Sequence, residues 1–428
     1  MREETNLKEF AGTGQNAINL SLSFSVQVFE PTSSSDSDAE PRNKATTLMP
    51  MWRRIPGWEA PMSKRLWVGL DAGVYATSVC VLNSAGEPIQ QGDLPTSVEA
   101  IDAFIRPLRR GNIEVIAMES GSSSIYLARG LERLKYSVAV FDARQISAFL
   151  GLKQNKTDRN DARAIADVAR SGRSAVSEVL VKSVECQRIR SMLANRKQML
   201  RMRIASEAAI GAQFNLYGGK LAKCHSAATL RRKANLEMDR LRKEQKIDLR
   251  PDIEPVLSIC AGLRDYVQHL DRKFADMAVN IDICRRFMEI PGVGPLTALS
   301  FYSAICDPDR FARCIDVGPY LGLVPRVRQS GGTVARFRIS KMGNTMTRQH
   351  LVTAAMHLLR ARSTDSSLKR WGLNLRERRG GGRANTAVAR KLSIVMLAMW
   401  KGRVRQGGVI SAVAVGHRQA ALAVMCRG

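Results

Sequence analysis

Cysteine and histidine are sparse and scattered in this sequence. The eight cysteines and five histidines form no Cys-x-x-Cys pair and no zinc-finger spacing, so a structural zinc site is excluded. Several cysteines fall at apolar positions of helical patterns, where a free thiol behaves as a small core residue. This usage fits a reducing cytoplasm.

Long apolar runs are also lacking. No uninterrupted stretch reaches the roughly 18–20 apolar residues that a membrane helix needs, and the nearest approach, residues 409–425, is broken by His417-Arg418-Gln419. The first residues lack the basic-then-apolar order of a signal peptide. We therefore expect no membrane contact and a cytoplasmic protein.

Acidic residues are few relative to basic ones. Lys and Arg number 66 against 39 Asp and Glu, which gives a formal net charge of +27. Residues 1–50 carry a balance of −3, so the rest of the chain carries +30. A positive field over a folded body favours a polyanion, and nucleic acid is the expected partner. A ribosome-associated or merely soluble basic protein is the alternative.

The length of 428 residues suffices for two or three domains with their own cores. Residues 1–62 contain a Ser/Asp/Pro-rich stretch and no periodic pattern, and are predicted to be a poorly ordered leader. The predicted divisions that follow are an α/β domain at 63–183, a helical region at 184–288, a second globular domain at 289–405 and a tail at 406–428.

The pattern of residues 66–150 predicts a mixed sheet with helices on its faces, because a hairpin is followed by β-α-β crossovers. The predicted strands are Leu66–Ala72, Ala76–Asn83, Ile89–Leu94, Glu114–Glu119 and Ser137–Phe141, with helices at 97–109, at 123–134 and after the last strand. This is the plan of a ribonuclease-H-like fold.

A sustained heptad pattern predicts a coiled-coil helix in the middle of the chain. Apolar residues step by three and four at Ile253, Val256, Cys260, Leu263, Val267, Leu270, Phe274, Met277, Ile281, Cys284 and Met288. The partner would be a helix from 184–245, another subunit, or both. A plain helical hairpin explains the same pattern.

Four carboxylates form the predicted metal site. Asp71 and Glu119 each end an apolar strand, while Asp158 and Asp161 are three residues apart and share one helix face. Because carboxyl ends of strands form the functional edge of such sheets, the set could hold two divalent ions of the kind that cut phosphodiesters. Alternatively, Asp158 is a helix N-cap and Asp161 a first-turn acid.

Three groups of residues are predicted to bind nucleic acid, although each could instead serve a structural or solvated role. Lys153, Lys156 and Arg159 surround the acids. Gly292 and Gly294, in Ile-Pro-Gly-Val-Gly-Pro, match the hairpin of a helix-hairpin-helix element, whose amides approach a phosphate. The third group, near residue 330, comprises Arg326, Arg328, Arg336, Arg338 and Lys341.

Ser330 is a candidate nucleophile, because it is followed by two glycines and surrounded by these arginines. Glycines let a DNA backbone come close, and guanidiniums stabilise charge on phosphorus. No His or Glu base stands beside it in the sequence. It could merely bind a phosphate, and Thr333 and Ser340 are rival candidates.

These motifs, taken together, resemble a family. The order Gly-Leu-Asp71, Met-Glu119-Ser, Lys-Thr-Asp158-Arg-Asn-Asp161-Ala, Ile-Pro-Gly-Val-Gly-Pro and Gln-Ser330-Gly is similar to that of the DEDD insertion-sequence transposases of the "IS one-ten" type, also known as bridge-RNA-guided recombinases. The resemblance spans roughly residues 64–405. Family members often have a second serine where this chain has Gln329.

The resemblance implies a RuvC-like domain, a helical coiled-coil insertion and a mainly helical C-terminal transposase domain. Asp71, Glu119, Asp158 and Asp161 would then bind Mg²⁺ or Mn²⁺, and Ser330 would be the nucleophile. It further implies element-end and target DNA, a structured guide RNA, and a homo-oligomer, dimer or tetramer, whose sites combine domains of different subunits. Two rivals are a RuvC-like nuclease that hydrolyses branched DNA and an inactive nucleic-acid-binding relic.

Overall fold

The computed structural model describes residues 65–150, 157–171, 173–330 and 333–402. The predicted leader, residues 1–62, and the predicted tail, residues 406–428, lie outside this part. All described residues belong to one compact unit, which begins with a mixed sheet and continues as helices.

A five-stranded sheet in the order β3-β2-β1-β4-β5 occupies the first part of the chain. Its strands are β1 Leu66–Ala72, β2 Ala76–Leu82, β3 Pro88–Pro95, β4 Ile113–Glu119 and β5 Val138–Phe141. The first three pair antiparallel, whereas β4 pairs parallel with both β1 and β5. The prediction of a mixed sheet is confirmed: β1 has the predicted bounds, and no other strand end differs by more than one residue.

Helices cover both faces of this sheet. They are α1 Val98–Ile105, α2 Ser124–Arg133, α3 Ala143–Leu150 and α4 Asp158–Ser171. Val68 and Leu70 point to the face where α1 and α2 pack. Residues of opposite parity, such as Trp67, lie against α4, because successive side chains of a strand alternate between faces.

Helix α4 lies unusually close to β1 at Gly69. A β-carbon on Gly69 would lie 2.1 Å from the carbonyl oxygen of Ala162 and 2.5 Å from the amide nitrogen of Ala166. Only glycine permits this approach. Arg170, near the end of α4, donates to the Ser84 carbonyl just after β2, and β2 is antiparallel to β1. Helix α4 therefore runs from the carboxyl end of β1 towards its amino end.

The middle of the chain is helical, with α5 Val184–Leu216, α6 Ala227–Gln245 and α7 Arg250–Asn280. Helices α5 and α7 pack along each other, as the heptad pattern allowed. The pattern predicted one unbroken helix to Met288, but Ile281 has extended backbone angles and α8 begins at Asp282. The apolar spacing continued across this break because both helices contribute to the same core.

The last described part contains α8 Asp282–Met288, α9 Pro295–Ile305, α10 Val317–Tyr320, α11 Thr345–Leu358, α12 Ser367–Arg379 and α13 Gly381–Trp400, with a hairpin of β6 Pro325–Ser330 and β7 Thr333–Ile339. The hairpin was not predicted. Its signal is the alternation of arginine with apolar residues in Thr333–Ile339, a period of two that indicates a strand.

Side-chain caps decide where several helices begin. Ser97, Ser183, Ser226, Asn344 and Ser366 each accept a hydrogen bond from the backbone amide three residues later, which satisfies a donor that the helix itself leaves unpaired. In the described part of the chain, no helix is both long and apolar enough to cross a membrane.

Candidate functional site

Asp71 and Glu119 lie at the same level on two neighbouring parallel strands, β1 and β4. Leu70 pairs with Met118 across β1 and β4, and the two acids each follow by one residue. Both are half-buried. Since Leu70 and Met118 point to the face of α1 and α2, the acids point to the opposite face, where α4 lies.

Asp158 and Asp161 occupy the first turn of α4, at the helix end that lies towards the carboxyl end of β1. Asp158 is exposed and Asp161 is buried, with 9% of its surface accessible. Asp158 is not the N-cap, because the hydroxyl of Thr157 accepts the amide of Asn160 at 3.3 Å. The alternative reading of Asp158 as the cap is therefore wrong, and its carboxylate is not used to close the helix end.

The four carboxylates thus share one sheet edge and one face. Their oxygen donors suit hard divalent cations such as Mg²⁺ or Mn²⁺. Nevertheless, among the described residues no three His, Cys, Asp or Glu side chains are arranged as a metal-binding group. The backbone brings the acids to a common edge, but their side chains do not form a closed set of ligands.

Asp93 is a fifth acid at this edge, and sequence reasoning missed it. Asp71 pairs with Ser78 and Ser78 with Asp93 across β1, β2 and β3, so the three lie in one row on the α4 face. The Ser78 hydroxyl donates to Asp93 at 2.6 Å. No local pattern marks Asp93, because only the register of three strands places it level with Asp71, with Ser78 between them.

Arg159, predicted to bind nucleic acid, forms an ion pair with Asp93. Its Nη2 and Nε atoms donate to one Asp93 oxygen at 2.7 and 3.1 Å. Hydrogen bonds from Ser78, and then from Arg159, hold the pKa of Asp93 below its usual value. The pair ties the first turn of α4 to β3. Lys153 and Lys156 lie outside the described residues.

Ser330 is the last residue of β6, and it pairs with Thr333 of β7. The two glycines that follow it are typical of a loop, whereas the serine ends a strand at the tip of a hairpin. Arg328 and Arg336 lie on the same two strands, with Val327 opposite Arg336. The side chains of 328–330 and 333–337 are outside the described part. Arg326, Arg338 and Lys341 are exposed near the base of the hairpin, where Arg326 donates to the Ser340 carbonyl at 3.2 Å.

A buried arginine, which sequence reasoning also missed, connects the two chain segments at the base of the hairpin. Arg348 of α11 donates from Nη1 to the carbonyls of Leu321 and Met342, each at 3.0 Å. Burial lowers the pKa of Arg348 below its usual value. Gly322 and Gly343 have positive φ angles of 68° and 76°, and a β-carbon on either would overlap the facing chain. These contacts join the two ends of the hairpin.

Gly292 and Gly294 lie at the turn before α9. Gly292 has φ of 89°, and its close neighbour is the Ala354 carbonyl of α11, 2.5 Å from the position of a β-carbon. Packing between the turn and α11 thus explains Gly292. Gly294 is the N-cap of α9 and has open space around it, so its neighbourhood leaves room for a ligand.

Comparison with known proteins decides the family. The model of the "Transposase IS116/IS110/IS902 family" matches residues 284–370, and a second transposase model, of DEDD type, matches residues 68–217. The transposase of insertion sequence element IS1111A from Coxiella burnetii is 33% identical over 257 residues, which cover 58% of this chain and 67% of that protein. The chain belongs to the IS110 family of transposases.

Two further relatives are similar over a larger share of this chain. A probable family 20 transposase of Pseudomonas aeruginosa is 29% identical over 67% of this chain and 83% of its own length. A putative transposase of Sinorhizobium fredii, y4pF/y4sB, is 26% identical over 78% and 83%, respectively. As a member of this family the chain is an enzyme that cleaves and joins DNA, and its mixed sheet fits the ribonuclease-H-like fold of DEDD transposases.

Proposed function

We propose that this transposase cuts and rejoins DNA through Ser330, with a divalent cation bound by Asp71, Glu119, Asp158 and Asp161, under the guidance of a structured RNA. The observation that carries the proposal is the register of β1 and β4. It brings Asp71 and Glu119 level on the face where α4 presents its first-turn acids.

The serine step is a phosphoryl transfer. The Ser330 hydroxyl loses its proton as its oxygen attacks the phosphorus of a phosphodiester. The new O–P bond forms, one bridging P–O bond breaks, and the leaving oxygen takes up a proton to become a DNA hydroxyl. Attack by a DNA hydroxyl on the phosphoserine reverses these changes and regenerates the serine. The tip of a glycine-closed hairpin suits this role, because it can reach a DNA backbone without steric hindrance from large side chains.

The carboxylates supply the second half of the site. Asp71 and Glu119 would hold a Mg²⁺ or Mn²⁺ ion from the strand ends, and Asp158 and Asp161 would be its further ligands from the first turn of α4. Such an ion, when bound, stabilises negative charge on a phosphoryl group. The Asp93–Arg159 pair keeps Arg159 beside these acids, where it offsets part of their mutual repulsion.

The partners follow from charge and family. The net charge of +27 suits both the DNA and a folded guide RNA. A dimer or tetramer would let the hairpin of one subunit act beside the carboxylates of another, and α7 with its heptad spacing is a candidate contact between subunits.

A covalent adduct tests the serine. The purified full-length protein with its co-purifying RNA is incubated with labelled element-end DNA and Mg²⁺, followed by denaturing gels and peptide mass spectrometry. We expect a DNA adduct on Ser330 that Ser330→Ala abolishes and that the matched Ser340→Ala variant retains. Cleavage without any adduct, undiminished by Ser330→Ala, would instead indicate a hydrolytic RuvC-like nuclease.

Metal binding tests the carboxylates separately. Asp71→Asn should weaken Mn²⁺ binding measured by calorimetry and abolish strand exchange, while DNA binding is retained because the change removes one negative charge. A matched control is Asp365→Asn, a surface acid paired with Arg370 away from the sheet. Unchanged Mn²⁺ affinity and strand exchange in Asp71→Asn would contradict the metal site.

A further inference from the structure

A basic cavity lies in the helical region, away from the carboxylates. It has a volume of about 730 Å³, opens to solvent, and is lined by α5, by α6 and the loop before it, and by α7. Its lining includes Arg203 and Glu207 of α5, Arg264 of α7, and Lys220 and Lys223 of the loop. Arg203 is 19 residues along α5, which corresponds to roughly 30 Å of helix from its start.

Two guanidiniums in this cavity share one carboxylate. Arg264, 8% exposed, donates its Nη2 towards the Glu207 oxygen Oε1 at 2.9 Å. The Nε of Arg203 lies 3.5 Å from the same oxygen. Each guanidinium carries five N–H donors, and one carboxylate has too few acceptor sites for the donors of two guanidiniums. Within the described residues the buried Nε atoms of Arg203 and Arg264 have no hydrogen-bond partner.

The charges around the cavity are unbalanced. The four cations Arg203, Lys220, Lys223 and Arg264 line it with Glu207 as the single acid. Buried donors without acceptors, and buried charges without partners, cost free energy. A ligand that brings several acceptor oxygens and negative charge would satisfy both requirements, and guanidiniums bind phosphate oxygens in a matching forked geometry.

We propose that this cavity binds a phosphate group, as the phosphodiester of a nucleic acid that passes over the end of α5. Arg264 and Arg203 contact the phosphate oxygens from inside, and Lys220 and Lys223, both exposed, extend the contact to the rim. The volume exceeds that of a phosphate ion severalfold, so an attached nucleotide has room. The site is independent of Ser330 and of the carboxylates.

Calorimetry with inorganic phosphate and the full-length protein tests the site directly. We expect phosphate to bind the wild type, and its Kd to rise at least tenfold in Arg264→Met with Glu207→Gln, a double change that leaves no unpaired carboxylate. The rim variant, Lys220→Ala with Lys223→Ala, should raise Kd about threefold. Lys243→Ala, an exposed lysine of α6 outside the cavity, is the matched control and should bind as the wild type does.

Oligonucleotides distinguish a nucleic-acid phosphate from a free one. Binding of a 20-nucleotide RNA and a 20-base-pair DNA is measured against salt, and the slope of log K should fall by about one to two in the rim variant and not in Lys243→Ala. Loss of phosphate binding with unchanged oligonucleotide binding would overturn the nucleic-acid assignment and leave a free-phosphate site. If the rim variant binds phosphate and the oligonucleotides as tightly as Lys243→Ala does, the proposed site is refuted. This test stands even if the buried double variant fails to fold.

Discussion

Replacement of Gly69 by alanine should separate α4 from β1 and damage both stability and activity. The new β-carbon would lie 2.1 Å from the Ala162 oxygen, although real β-carbons essentially never approach another atom within 3.0 Å. Its obstacles are backbone atoms of Ala162 and Ala166, which cannot rotate away as a flexible side chain does. The helix must therefore move outward by about 1 Å. A well-packed interface resists a shift of this size, so the shift costs free energy.

The expected magnitudes follow from this displacement. Overpacking of a tight interface costs about 1–3 kcal/mol. Alanine also lowers the conformational entropy of the unfolded chain relative to glycine, which offsets about 0.5 kcal/mol of that cost. We expect a net loss of about 2 kcal/mol. Because α4 carries Asp158 and Asp161, a misplacement of about 1 Å should also reduce strand exchange by about 100-fold.

Denaturant unfolding and a strand-exchange assay with element-end DNA measure the two effects. Gly111→Ala is the matched control, since no atom lies within 4 Å of its β-carbon position, and it should equal the wild type in both assays. Wild-type stability and wild-type exchange in Gly69→Ala would refute the conclusion that the contact between α4 and β1 positions the acids.

Three further predictions concern single side chains. Arg348→Met should lower the free energy of unfolding by about 3 kcal/mol, because two carbonyls at the hairpin base lose their donor; a loss under 1 kcal/mol in denaturant titrations contradicts this. Burial, followed by two nearby cations, lowers the pKa of His350 from 6.5 to about 4, so the folded state binds fewer protons and about 3 kcal/mol of stability should disappear as pH falls from 6.5 to below 4. His350→Asn should remove that part of the pH dependence. Identical profiles of stability against pH for the wild type and the variant would exclude His350 as its source. Asp93→Asn frees Arg159 from its ion pair and should steepen the salt dependence of DNA binding by up to about one unit in slope; an unchanged slope means that Arg159 does not reach DNA.

The strands and their terminal acids were predictable because both signals are local. Apolar runs of four to eight residues that end in Asp71 or Glu119 identify strands without knowledge of their neighbours. The N-terminal acids of α4 were equally visible, although the cap proved to be Thr157. The hairpin around Ser330 was missed because glycines and arginines resemble a loop when the alternation of arginine and apolar residues in Arg336-Phe337-Arg338-Ile339 is not weighed.

Residues that act through distant partners could not be predicted in the same way. In the sequence Arg348 resembles any helical arginine. Its burial depends on how α11 packs against the segments that flank the hairpin. Arg264 lies in a heptad stretch, and its buried environment depends on how α5 and α7 face each other. Asp93 is one polar residue in a polar strand, and only the register across β1, β2 and β3 puts it level with Asp71.

The sequence by itself determined the strands of the mixed sheet, the excess of positive charge and the four acids, because these depend on composition and on periods of two or 3.6 residues. Tertiary structure alone decided which acids share an edge, which arginines are buried and where Gly69 admits a helix. Such properties arise from contacts between segments far apart in the chain, and a local pattern carries no information about the distance between them.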